Sequence, residues 1–175
     1  MSKQALADAI DRTIMPGMQG DPFMNSIAAK AIAFYEAATP EFKIYQQQII
    51  KNAAAMAQAM KDLGYRIVAD GTENHLFIVD LRSVGVSGRD AEMALDKAGI
   101  TVSRSCIPFD PAKPWITSGI RLGTPAMTTR GMEEREATMI AQWVDYVVKH
   151  HTDETQLQRI KKEVARLCEQ FPAYR

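Results

Sequence analysis

The sequence predicts an α+β fold, with helices covering one face of a small, mainly antiparallel sheet. Three observations carry this. Apolar residues recur at steps of three and four over 40–63, 132–149 and 153–170. The segments YRIVA, HLFIVDL and SGIRLG instead read as strands. The turn-rich DGTEN between the first two makes them antiparallel neighbours, since a connection that short cannot cross over.

Composition limits what such a fold can do. With 175 residues and 46% hydrophobic content, the chain can close one ordinary core and still carry a small second piece. Its 21 basic and 21 acidic residues cancel, so no long-range field draws it to nucleic acid or to an anionic membrane. Cys106 and Cys168 are too few for a disulfide framework and wrongly spaced for a zinc site, which points to a reducing, cytoplasmic compartment and no metal. MSKQALADAI lacks the apolar run of a signal peptide, and no window reaches the roughly 18 apolar residues of a membrane span.

Along the chain, a short helical pattern through Ala5, Leu6, Ala9 and Ile10 runs into PGMQGDP at 16–22, where two prolines and two glycines argue against regular structure. A helix follows over 24–38. Thr39-Pro40 then caps another, whose stripe Phe42, Tyr45, Ile49, Ala53, Met56, Met60 and Leu63 ends at Gly64. After the two strands, Ser87 with Asp90 opens a helix that closes at Gly99. ITVSR reads as a short strand, and CIPFDPAKPW, with three prolines in ten residues, reads as a loop delivering the chain into SGIRLG. The last two helices turn Met139, Ile140, Trp143, Val144 and Val147, then Leu157, Ile160, Val164 and Leu167, inward.

Among candidate site residues, Arg121 sits in an apolar, alternating segment between Gly119 and Gly123, which allow close approach. Its planar fork suits a carboxylate, either on a ligand or on a neighbouring Asp or Glu. Arg130, at a helix entrance, suits a cap or a surface role. PGMQGDP could offer backbone N–H groups to a phosphate or be a plain connector. His75 lacks a metal-ligand cluster, His150 and His151 close a helix, neither cysteine has a base beside it, and the ten methionines read as core.

The strings PGMQGDPFMNSIAAKAIAFYEA, PEFKIYQQQIIKNA, NHLFIVDLR, AGITV, IPFDP and SGIRLGTPAMTTRG, in this order, resemble serine hydroxymethyltransferases, as does the ending RIKKEVARLCEQFPAY. The resemblance covers nearly the whole chain. It implies the aspartate-aminotransferase fold type. Residues 1–38 would be the tail of the pyridoxal-phosphate (PLP) domain and 39–175 the small C-terminal domain. It further implies a homodimer, or a tetramer, with a shared active site that moves the hydroxymethyl carbon of serine to tetrahydrofolate.

Carried over motif by motif, the resemblance assigns the substrate carboxylate to Arg121, the cofactor phosphate of the neighbouring subunit to Gln19 and Gly20, and a place near the site to Arg130. Two departures stand out. Asp21 follows Gly20 where the family has a second glycine, and puts a carboxylate beside the phosphate. Ser105 stands where the family has the asparagine that contacts folate, with a shorter and simpler group. A 2-methylserine hydroxymethyltransferase or a folate-independent aldolase are the alternatives those departures raise.

The family's Schiff-base lysine, in a THK motif, has no counterpart here. Lys3, Lys30, Lys43, Lys51 and Lys61 all lie in helical patterns unlike it. The chain is therefore expected to be a C-terminal fragment, inactive alone, that needs an N-terminal PLP domain. A split subunit and a non-catalytic scaffold or dimerisation domain are the other readings.

Overall fold

The computed structural model describes residues 3–173. Two compact units divide between Lys43 and Ile44, inside a helix.

In the first unit, a turn at Gln4–Leu6 leads into α1 (Ala7–Arg12), and α2 spans Met24–Ala37. Neither helix buries a residue. The expected break does begin at Met15, whose extended backbone (φ −127°, ψ 116°) is what a following proline demands. It is shorter than the sequence suggests. Pro16, Gly17 and Met18 belong to a wide turn over Thr13–Met18, which Gln19 N–H closes onto Ile14 O at 2.7 Å. Proline fits there because its missing N–H is not asked to donate. Thr39 caps α3 (Pro40–Asp62) as expected, its hydroxyl accepting Phe42 N–H at 3.2 Å.

The second unit holds a sheet of β1 (Arg66–Ile67), β2 (Leu76–Asp80), β3 (Ser103–Ser105) and β4 (Gly119–Gly123), in the order β1-β2-β4-β3 with all pairs antiparallel. Strand β1 is brief because Ala69 and Asp70 take left-handed backbone (φ 60° and 58°) and end the extended run. β3 begins three residues later than ITVSR suggests. Ile100 N–H is already spent on Leu95 O (2.8 Å), beside Gly99 N–H to Asp96 O (2.9 Å), in the left-handed closure of α4 (Gly88–Lys97).

Ile67, Phe77, Val79, Ile120 and Leu122 form the buried side of the sheet. Against them pack Ala91, Ala94 and Leu95 of α4, Ala137, Ala141, Val144, Val147 and Val148 of α6 (Glu134–Lys149), and Leu157, Ile160 and Leu167 of α7 (Glu154–Gln170). The α3 stripe contributes Ile49, Ala53, Met56 and Met60 to the buried set. Met139, Ile140, Trp143 and Val164 are only partly buried, at the rim of the core. Helix α5 (Pro125–Thr129) is an element the pattern missed, although Thr124-Pro125 repeats the Thr-Pro step that opens α3. Among the described residues no helix is long and apolar enough to cross a membrane.

Candidate functional site

Alternation along β4 sends Ile120 and Leu122 into the core and Arg121 to the opposite face. Arg121 pairs directly with Ile78 of β2 on one side and Ser103 of β3 on the other, so all three share that face. Its glycine neighbours differ in what they permit. A Cβ on Gly119 would meet Val79 O at 2.8 Å, Ile107 Cγ2 at 2.9 Å and Ser105 O at 3.0 Å, so the absence of a side chain lets the buried Ile107 close over that end. A Cβ on Gly123 would find only His75 O at 3.4 Å and looser neighbours. The face therefore stays open there as a groove of about 270 Å³ between His75, Thr101, Ser103, Arg121 and Gly123.

Arg121 is exposed, and among the described residues it makes no ion pair and no side-chain hydrogen bond. The neighbouring-carboxylate role weighed for it finds no carboxylate among those residues. Arg66 and Arg82 differ in this respect. Both bind Asp80, Arg82 through Nε (3.0 Å) and Nη2 (2.8 Å) and Arg66 at 3.2 Å. The Arg82 hydrogen bonds, with burial opposing, hold the Asp80 carboxyl below its ordinary range. Arg121 is thus the guanidinium of this face left for an incoming anion.

The loop between β3 and β4 is organised by Asp110. Its carboxylate accepts Ser118 N–H (2.9 Å), the Ser118 hydroxyl (2.6 Å), Ala112 N–H (2.9 Å) and Ile107 N–H (3.2 Å). Burial acts to raise its pKa, but these donors outweigh it and bring it down to about 2. Ser105, on the same face as Arg121, pairs with Gly119, and its hydroxyl has no partner among the described residues. The loop also exposes Phe109 and Trp115, with Lys113 Nζ 5.5 Å from the Trp115 ring centre.

The far end of β4 is tied to α3. Thr124 is fully buried; its N–H donates to His75 O (3.0 Å) and its hydroxyl to Ile49 O (2.8 Å). Asn52, also fully buried, donates to Thr128 Oγ1 and Met132 O, both at 2.9 Å. Sequence reasoning missed both residues. The available signal was a polar residue beside an apolar stripe, Asn52 next to Ala53.

Arg130 ends α5 and donates through Nη1 to Phe171 O (2.6 Å) and Cys168 O (3.4 Å), the carbonyls that close α7. Gln19 and Gly20 lie in the first unit, both exposed. Gly20 has open space where a Cβ would be, and its N–H has no partner among the described residues. No group of three His, Cys, Asp or Glu among the described residues could hold a metal ion. Cys106 and Cys168 are free thiols.

A family model described as serine hydroxymethyltransferase matches residues 2–144. The chain is 50% identical over 165 residues to serine hydroxymethyltransferases of Legionella pneumophila strains Corby and Lens, a match covering 94% of this chain and 40% of each relative. The chain thus spans about 40% of the length of the curated relatives it matches.

Proposed function

The chain belongs to the serine hydroxymethyltransferase family, and on that premise we propose that it forms the C-terminal part of a pyridoxal-phosphate-dependent transferase. That enzyme interconverts serine and glycine, with tetrahydrofolate taking the one-carbon unit, in the cytoplasm and as a homodimer or tetramer. The observation that carries this reading is Arg121, which has no carboxylate partner among the described residues, beside a groove sized for a small amino acid. A substrate carboxylate there receives two parallel hydrogen bonds, each about twice as strong as a neutral one.

The surrounding residues orient that grip. Ile78 and Ser103 flank Arg121 across the strands, Thr124 fixes the end of β4, and Ile107 keeps water from the Gly119 end. Ser105, which stands where the family has its folate-contacting asparagine, offers a shorter group to folate. Pyridoxal phosphate, when bound, supplies the electron sink for the bond broken at the substrate α-carbon. Gln19 and Gly20 fit the cofactor phosphate of the neighbouring subunit, because Gly20 offers an unengaged N–H and no Cβ; Asp21 beside them works against it. None of the chain's lysines lies in the family's THK motif, so the isolated chain neither bonds the cofactor nor turns over serine.

The test is a chimera in which this chain replaces the matched segment of the Legionella relative. In it, Arg121→Lys lowers kcat/KM for serine at least about tenfold while the melting temperature holds, because an ammonium keeps the charge but loses the two-point grip. A lowered melting temperature with unchanged kinetics sinks the assignment. So does a parent chimera that folds yet turns over no serine.

A further inference from the structure

We propose that Ser103 is a substrate-positioning residue, a second anchor donating its hydroxyl to the carboxylate that Arg121 grips. The inference rests on the carboxylate reading of Arg121 and extends it. A two-point guanidinium grip leaves the carboxylate's remaining lone pairs unserved, and each unserved site costs affinity once water is displaced. Thr101 and His75 also line the groove, but neither is paired with Arg121, and the residues beside and directly across from Arg121 narrow the choice of donor. Along β4 it has only Gly119 and Gly123 on its own face, neither with a side chain. Across β2 its partner is Ile78, which has nothing to donate.

Across β3 its partner is Ser103, whose Cβ in a directly paired position lies about 4.5–5.5 Å away. Ser103 is half-buried, lines the same groove, and its hydroxyl has no hydrogen bond among the described residues. Ser105, two residues on, lies opposite Gly119 and does not line that groove. The two serines therefore divide the face: Ser103 stands at the Arg121 level and Ser105 at the Gly119 level. The ligand class this selects is a small carboxylate that enters from the Gly123 side.

In the same chimera, Ser103→Ala is expected to raise KM for serine about threefold to tenfold, the effect of one hydrogen bond to a charged acceptor, with kcat within about twofold. Ser103→Thr, which keeps the hydroxyl and suits a strand, restores KM. In the double variant with Arg121→Lys, the Ser103→Ala effect shrinks, because the misplaced carboxylate no longer reaches both donors. An unchanged KM in Ser103→Ala, or a Ser103→Thr variant as poor as Ser103→Ala, overturns the proposal. If Arg121→Lys lowers kcat/KM while Ser103→Ala does nothing, this inference alone fails. If Arg121→Lys leaves the kinetics intact, the carboxylate reading fails with it.

Discussion

Asp110 accepts both hydrogen bonds that Ser118 can donate, from its N–H at 2.9 Å and its hydroxyl at 2.6 Å, and so fastens the loop after β3 to the residue before β4. Since Ile107 N–H reaches the same carboxylate, one side chain sets the cover over Gly119 and the start of the strand that carries Arg121.

Asp110→Asn should destabilise the chain at neutral pH by about 1–3 kcal/mol, because an amide replaces one accepting oxygen with a donor facing N–H groups. The pH dependence has a definite sign. The folded carboxyl sits at about 2, below its ordinary 3.8, so its contribution is complete above that ordinary value and is lost as pH falls through about 2. Urea melts of both proteins across acidic pH should show the gap closing, and a gap of constant size at pH ~2 would contradict the assignment.

Gly88→Ala should be harmful even though alanine is the better helix former. A Cβ there collides with Thr117 Oγ1 and Gly119 O, while Gly88 N–H and Arg89 N–H donate to Thr117 O and Ile116 O, both at 2.9 Å. Overpacking of this kind costs about 1–3 kcal/mol, against a propensity gain of at most about 1 kcal/mol. Thermal melting decides it, since a raised midpoint would show that the helix start can shift freely.

Asn52→Leu should destabilise by at least about 2 kcal/mol although leucine suits the apolar stripe. It strands Met132 O, takes the donor from Thr128 Oγ1, which keeps only its own bond to Thr124 O, and removes one of the two acceptors of Gln48 Nε2, the other being Glu134. Stability within about 0.5 kcal/mol of wild type in urea melts would mean that the network contributes little.

How much of this was legible in the sequence depends on where the determinant lies. The α3 stripe, the Ser87 cap and the closure at Gly99 are local, and local chemistry writes them directly: Ser87 Oγ accepts Asp90 N–H at 3.1 Å, as its spacing implies. Arg121 was visible because a charge interrupting an alternating apolar segment is conspicuous. Ser103 was not, since its only distinction is the register that sets it opposite Arg121, and register is a property of two strands. The start of β3 was misjudged for a related reason: Ile100 looks β-prone, but its N–H belongs to the end of α4. Thr124 and Asn52 gain their roles from α3 and α5 meeting, which no window of sequence contains.

The remaining prediction concerns where the chain is held most firmly. β4 lies between β2 and β3, and Ile120 and its partner Val79 are wholly buried, so opening its amides requires breaking two ladders and exposing the core at once. Amide exchange in 119–123 should therefore approach the rate set by global unfolding. In α1 and α2 no residue is buried, and Phe23, Phe34 and Tyr35 are each more than 70% exposed, so those helices have only their own hydrogen bonds to resist opening. Isolated helices of that length are marginal in water. Exchange of the intact 175-residue chain should thus show residues 5–37 protected at least about 100-fold less than 119–123, a gap of roughly 3 kcal/mol. Protection in α2 equal to that in β4 would refute this, because it would mean that the apolar surface of the first unit is covered in the isolated chain.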